Sequence, residues 1–362
     1  MTTSLLRKCA VIAAGACVIA TTALLAGQAP AAPGAPAGQG GGRRGGGAGA
    51  GQAPAAPGAP GAPAGAQAGG RGGRGGGTPA PPQGGNGPVK VMLITKGHDF
   101  SPRERFFAMF DAMGSDITWT HTEHPASDVM MSPKYGSAYD AFVFYDLGGP
   151  GGNATTPDGK PVQGFLASNG RTYPNPSAQL KEDFKNLLKQ GKGMVFLHHA
   201  AAAWAHTWPE YSEVVGGACD WYANTKIRGI DMPNHLFAGM TPQHITFVDK
   251  AHPIVKGLGD GFDVVDEAYA CAWFDDSIHP IAKTDFRPAD PARYLGNNWK
   301  YSDTTAWVKV SENSPVFYTQ VGHGESAWTN PAYRAFVQNA IKWVASPEAL
   351  AWAKANPTHI FK

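Results

Sequence analysis

No acidic residue precedes position 89 of this 362-residue chain, and residues 29–88 also lack valine, isoleucine, leucine and every aromatic residue. A segment built almost only of Gly, Ala, Pro, Gln and Arg ("APAGQGGGRRGGGAGAGQ") has nothing to bury. That excludes a folded domain there and predicts a disordered, flexible linker. Cysteine is scarce: there are four, at positions 9, 17, 219 and 271, too few for a disulfide-stapled scaffold. Cys219 and Cys271 read equally as two buried thiols or as one disulfide. A surplus of basic charge is lacking as well. Six of the 30 Lys and Arg residues lie before position 89, which leaves 24 basic against 28 acidic residues in the remainder. That balance offers nothing to a nucleic-acid backbone. The Gly-Arg pieces of the linker resemble RNA-binding segments, but behind an export signal a wall or membrane-surface tether is the better reading. Finally, the first apolar strand is followed by "HDFSPRE" instead of Gly-x-Gly-x-x-Gly, which removes the dinucleotide fingerprint.

What is present begins with a leader. Residues 1–28 have Arg7 and Lys8, then an uncharged apolar run from Cys9 to Ala26 and small residues after it, the layout of a secretory signal peptide. An uncleaved anchor is the alternative. The chain is therefore expected to be exported, to the periplasm or beyond, with membrane or wall contact only through its N-terminal arm. Residues 89–346 suit one large domain with a full core, and residues 347–362 a short helix and tail.

Within that domain, "VKVMLITK", "YDAFVFYDLGG", "GKGMVFLHHA" and "SPVFYTQVGHG" are near-continuous apolar runs of strand length. Helical stripes separate several of them: Phe106, Met109, Phe110 and Met113 after a cap at Ser101 and Pro102, then Leu180, Phe184, Leu187 and Leu188 before Gly191. A last stripe holds Tyr333, Phe336, Val337, Ala340, Ile341 and Val344. Strands hydrophobic on both faces, alternating with helices, predict an α/β fold with a mostly parallel sheet covered on both sides. The β-like pieces between residues 217 and 313 are expected to extend that sheet or cover its rim.

Ligands of open parallel sheets bind beyond the carboxyl ends of the strands. Three of the buried strands end there in histidine: His98, the pair His198 and His199, and His323. With the carboxylates Asp99, Asp266, Glu267 and Glu325, these imidazoles form a mixed nitrogen and oxygen set. Such a set suits a divalent ion, zinc above all, or acid–base work without metal. Adjacent residues of a strand point to opposite faces, so only one of the His pair is expected to face the site. His199, nearer the turn, is preferred, and His198 is read as a core histidine. The expected metal ligands are then His98, His199 and His323.

The blocks "VMLITKGHDF", "GKGMVFLHHAAAAW", "HPIVKGLGDGFDVVDEAY" and "SPVFYTQVGHGESAWTNPAYRAFVQNAIKWVAS" resemble the ThuA-like family, named for trehalose utilisation, over about residues 89–346. The resemblance implies the fold of class I glutamine amidotransferases, a flavodoxin-like three-layer α/β/α sandwich. In amidotransferases the late strand supplies a histidine and a glutamate of a Cys-His-Glu triad. "QVGHGE" is similar, with His323 and Glu325 in those places. The turn that should carry the cysteine reads His198-His199-Ala200, and no Gly-x-Cys-x-Gly occurs, so glutamine hydrolysis by that route is not expected. Many members have Gly-Lys-Gly-Arg before the late strand where this chain has "SENSP", so a contact from that arginine is not expected here.

The resemblance implies a carbohydrate substrate, a glycoside or a keto-sugar derivative. Isomerisation, elimination or hydrolysis would then use His323 as base, Glu325 to orient it, and His199. Asp99, Glu267 and Tyr269 are the expected polar substrate contacts, and Trp204, Trp208 and Trp328 an aromatic rim for a pyranose ring. A tethered carbohydrate-binding module without activity is the alternative.

Overall fold

The computed structural model describes residues 82–97, 100–147, 175–205, 207–219, 225–232 and 235–361. The expected leader and nearly all of the linker, together with His98 and Asp99, lie outside the described residues. Ten strands form one sheet: β1 (Gln83–Gly85), β2 (Val89–Lys96), β3 (Ile117–Glu123), β4 (Ala141–Asp146), β5 (Gly193–Leu197), β6 (Leu236–Phe247), β7 (Gly261–Ala270), β8 (His279–Thr284), β9 (Thr304–Ser311) and β10 (Ser314–Thr319). Their order across the sheet is β1-β3-β2-β4-β5-β10-β9-β8-β6-β7. The five strands β3-β2-β4-β5-β10 run parallel, in the flavodoxin order 2-1-3-4-5. The remaining neighbours pair antiparallel, so the sheet is mixed: a parallel core with an antiparallel wing. The pieces between residues 217 and 313 build most of that wing.

Helices α1 (Arg103–Asp111), α2 (Ala178–Lys189), α3 (Pro209–Val215), α4 (Pro331–Val344) and α5 (Pro347–Ala355) complete the framework. Alternation along β2 divides the core into its two halves. Val91 and Leu93 pack with Phe106, Phe110, Phe336 and Ile341 of α1 and α4. Met92 and Ile94 face the other way, onto Leu180, Phe184, Leu187 and Leu188 of α2 and Val214 of α3. Period-2 burial on both faces is why these strands read as continuous apolar runs. Local chemistry sets the helix ends: Ser177 Oγ accepts the N–H of Leu180, and Asn330 Oδ1 those of Ala332 and Tyr333. Pro102 occupies the cap position of α1, so that helix starts one residue later than the sequence suggested. Among the described residues no helix is long and apolar enough to cross a membrane.

Cys219 and Cys271 are joined in a disulfide with Cα atoms 5.0 Å apart, closing a loop with a sequence separation of 52. Both are buried. The bond ties the segment just after β7 to the segment that follows α3, and the Cys219 N–H reaches back to the carbonyl of Ala201. Restricting the unfolded chain by a loop of this length is worth about 4 kcal/mol in the chain-entropy model. Replacing both cysteines with alanine should therefore lower the unfolding free energy in urea by about 2–4 kcal/mol, and Cys219 and Cys271 should resist thiol-specific labelling in native protein. Full stability of the double variant would show that packing alone holds the two segments.

Candidate functional site

Three segments meet at the carboxyl edge of the parallel strands. The first begins where β5 stops at Leu197. His198 then takes φ +53°, the left-handed region that non-glycine residues seldom adopt, and opens a short 3-10 turn, His198–Ala202. The second is the run from Gln320 to His323 after β10. It needs glycine at 322, where φ is +139° and an added Cβ would lie 2.5 Å from the Tyr333 hydroxyl. The third is the end of β7, whose pairing with β6 shifts register between Asp266 and Ala268. Such irregularities re-aim side chains.

Asp266, wholly buried, holds the second segment to the third. Its carboxylate accepts the N–H of Gly322 at 2.6 Å, of His323 at 3.1 Å and of Glu267 at 2.8 Å. Burial pushes this carboxyl above its ordinary pKa, against the opposing pull of the His198 charge and the backbone N–H donors. Trp328 Nε1 donates to the Gly322 carbonyl, the Tyr333 hydroxyl to that of Val321, and the Tyr145 hydroxyl to that of His323. The histidine turn is thus fixed from every side by named donors.

The side chains that converge are His198, Glu267, Tyr269 and His323. His198 Nδ1 lies 2.7 Å from the Gln320 carbonyl, which accepts only a proton, so Nε2 carries the lone pair in the neutral ring. Tyr269 donates its hydroxyl to that Nε2 at 2.7 Å. Glu267 Oε2 is 3.3 Å from His198 Nε2 and 3.2 Å from His323 Nδ1, and the two ring nitrogens are 3.2 Å apart. Burial acts to raise the Glu267 carboxyl, but the imidazoles of His198 and His323 beside it outweigh that and hold the group well below the usual carboxylate range. Burial acts to lower His323, and the Glu267 hydrogen bond and charge overcome it, so its pKa is raised. Burial, and then the Glu267 charge, push the Tyr269 hydroxyl well above its ordinary value, so it stays a donor. His323 is the most open member, its side chain 27% exposed. One imidazole backed by a carboxylate, one imidazole of fixed tautomer and one phenol can accept, hold and return a proton.

Of the residues singled out from sequence, His323, Glu267 and Tyr269 come together here. The imidazole beside them is His198, not His199. The expectation for the pair assumed an extended strand through both, but the strand ends at Leu197 and the left-handed turn at His198 swings its ring into the cluster. His199 is buried against the Tyr145 ring. Glu325 does not orient His323: it starts the short helix Glu325–Trp328 and pairs with Arg105 at 3.2 Å on the surface. The three tryptophans are at most 5% exposed. Trp204 sets its edge against His124, Trp208 packs on Phe184 and Tyr211, and Trp328 on Phe106, so none of them forms a rim. Asp266 is one of four strand-end carboxylates in the sequence, and nothing in the sequence marks its clamping role. A cavity of about 410 Å³ opens beside β7 at Gln243, His244, Asp263 and Asn330, but no member of the cluster lines it.

A second buried group lies at the ends of β3 and β4. His124 sits between Asp128 Oδ1 at 2.8 Å and Asp146 Oδ2 at 2.9 Å. Burial opposes its charge, yet the two carboxylates raise its pKa to about 9.

A model of the ThuA family, described as trehalose utilisation, matches residues 90–344. A ThuA-like protein from Parabacteroides merdae is similar at 16% identity, over 72% of this chain and 90% of its own, with a TM-score of 0.49. One from Bacteroides uniformis is similar at 16% identity over 74% and 95%, with a TM-score of 0.46. A glutamine amidotransferase from Thermotoga maritima is similar at 12% identity over 64% and 74%, with a TM-score of 0.32. Among curated proteins nothing matches.

Two outcomes follow from this geometry. Asp266→Ala strands three N–H groups and should cost at least about 2 kcal/mol in urea unfolding, since hydrogen bonds to a charged acceptor each contribute ~1.5–3 kcal/mol. A loss under half of that would show the turn to be held by the tyrosines and Trp328. For His124, the folded pKa of about 9 exceeds the ordinary 6.5, so its stabilisation is complete below pH 6.5 and fades as pH rises through 9. The contribution is on the order of 3 kcal/mol. Melting temperature should fall between pH 7 and 10, and His124→Gln should flatten that slope.

Proposed function

From the premise that the chain belongs to the ThuA family, we propose that it is an exported enzyme of carbohydrate metabolism acting on a glycoside or keto-sugar derivative by proton transfer. The observation that carries this reading is the convergence of His198, Glu267, Tyr269 and His323 at the carboxyl edge of the parallel strands. His323, the most open of the four, takes the proton from the carbon beside a sugar carbonyl. Glu267, held ionised, stabilises the imidazolium that forms. The Tyr269 hydroxyl and the His198 Nε2 to which it donates form a second proton-holding pair beside them. Pairing of both cysteines of the folded part leaves neither as a thiolate nucleophile, which supports chemistry other than glutamine hydrolysis. The same disulfide suits an oxidising compartment and so supports export. Burial of Trp204, Trp208 and Trp328 takes these three away as the stacking platform of a purely binding module.

Incubation with trehalose, maltose, sucrose and their 3-keto forms, followed by proton NMR, tests the reading. Wild-type protein should convert at least one, with solvent deuterium exchanging into the sugar beside the carbonyl. His323→Gln and Glu267→Gln should each slow turnover by ~10²–10⁴-fold. Sugar binding without turnover by the wild type would sink the enzymatic reading.

A further inference from the structure

We propose that His198 Nε2, Glu267 Oε2 and His323 Nδ1 form a binding site for one divalent cation of the zinc class. The three atoms make a nearly equilateral triangle with edges of 3.2, 3.2 and 3.3 Å. A tetrahedral zinc with nitrogen and oxygen ligands at about 2.0–2.1 Å has ligand edges of about 3.3–3.4 Å. Facial octahedral ligands at about 2.1 Å would stand closer, about 3.0 Å apart. The triangle accommodates three corners of a tetrahedron, and two imidazoles with one carboxylate is a donor set of catalytic zinc sites, which leave the fourth corner for a substrate oxygen or water.

The tautomer supports the same reading. With the Nδ1 proton of His198 committed to the Gln320 carbonyl, Nε2 is the nitrogen left to bind an ion, and the Tyr269 hydroxyl that donates to it would turn away as the ion enters. A backbone carbonyl behind a ligating imidazole is the usual outer partner of a metal-bound histidine, fixing ring orientation and raising basicity. The ligand set carries a single formal negative charge, so a dication there is not over-neutralised and keeps Lewis acidity. Rigidity is supplied independently. His198 is locked by its left-handed turn and by the Tyr318 hydroxyl on its carbonyl, and His323 by the Asp266 clamp on its N–H. The ligands are thus arranged before any ion arrives, which lowers the ordering cost of binding. His98 and His199, expected as ligands from sequence, are not needed. This inference shares its residues with the proposed function but not its premise, because it rests on interatomic distances and holds whatever the substrate is.

The test uses the full chain without a histidine tag, stripped with a chelator and dialysed against zinc, manganese or calcium. Elemental analysis should find one equivalent of zinc per chain and far less calcium. Cobalt loading should give the intense visible bands of a tetrahedral site. His198→Ala and Glu267→Gln should each weaken zinc binding by at least tenfold, and the surface variant His279→Ala should leave it unchanged. Each variant is compared at matched melting temperature in chelator, so that misfolding is visible. Less than a tenth of an equivalent in the wild type, or unaltered binding in the two variants, overturns the site. In that event sugar turnover, measured in chelator, still decides the proton-transfer reading separately.

Discussion

The arrangement at the sheet edge depends on one buried carboxylate. Asp266 takes N–H groups from Glu267 on its own strand and from Gly322 and His323 on the late turn. A turn leaving a parallel strand has no ladder partners of its own, and its buried N–H groups must be satisfied by something. Here the acceptor comes from the neighbouring residue of Glu267, so the contact that satisfies the turn also fixes the spacing between Glu267 and His323. Removing the clamp would free both ends of the most important ion pair in the site at once. Asp266 touches no reacting atom in this scheme. It is a positioning residue.

That clamp joins two parts of the fold with different origins. His198 and His323 sit on the parallel core, where the flavodoxin order brings the ends of β5 and β10 side by side. Glu267 and Tyr269 arrive on β7, the outermost strand of the antiparallel wing. A regular strand would send residues 266 and 267 to opposite faces. The register shift after Asp266 lets both serve the same turn. The disulfide at Cys271, two residues beyond Tyr269, then anchors this end of the wing to Cys219, which is itself hydrogen-bonded to the His198–Ala202 turn through Ala201. Hydrogen bonds, a strand irregularity and a covalent bond all act on the same short stretch, residues 266–271.

Much of the architecture was legible because it follows from periodicity. Doubly buried strands and striped helices can be read residue by residue, and the 2-1-3-4-5 core is what those runs build. The edge of the sheet was legible as a place, since strands ending in histidine point there by topology alone. What sequence did not settle were the features fixed by backbone dihedrals and by distant pairing. Nothing in "FLHHA" announces that His198 turns left-handed, and that single φ value decides which imidazole enters the cluster. Glu325, two residues from His323, was the obvious partner by proximity, but a helix begins there and carries it outward to Arg105. Glu267 is 56 residues away in sequence and reaches His323 only through the wing. The tryptophans failed as a rim for a simpler reason: large aromatics near a site are usually its foundation, and these three bury almost all of their surface.

The turn after β5 carries the most chemical meaning. A left-handed residue at the end of a central parallel strand exposes its side chain at the top of the sheet, which is how nucleophile elbows present serine or cysteine. Here the residue in the left-handed region is His198, so the side chain presented is an imidazole. An imidazole reaches farther than a thiol, and its Nε2 stands beside the Glu267 carboxylate and the His323 ring instead of approaching a substrate carbonyl from below. The strain that elsewhere presents a nucleophile is used here to complete a ring of donors and acceptors. The left-handed turn after β5 and the carboxylate of the wing together assemble the cluster that the proposed proton transfer or metal coordination would use.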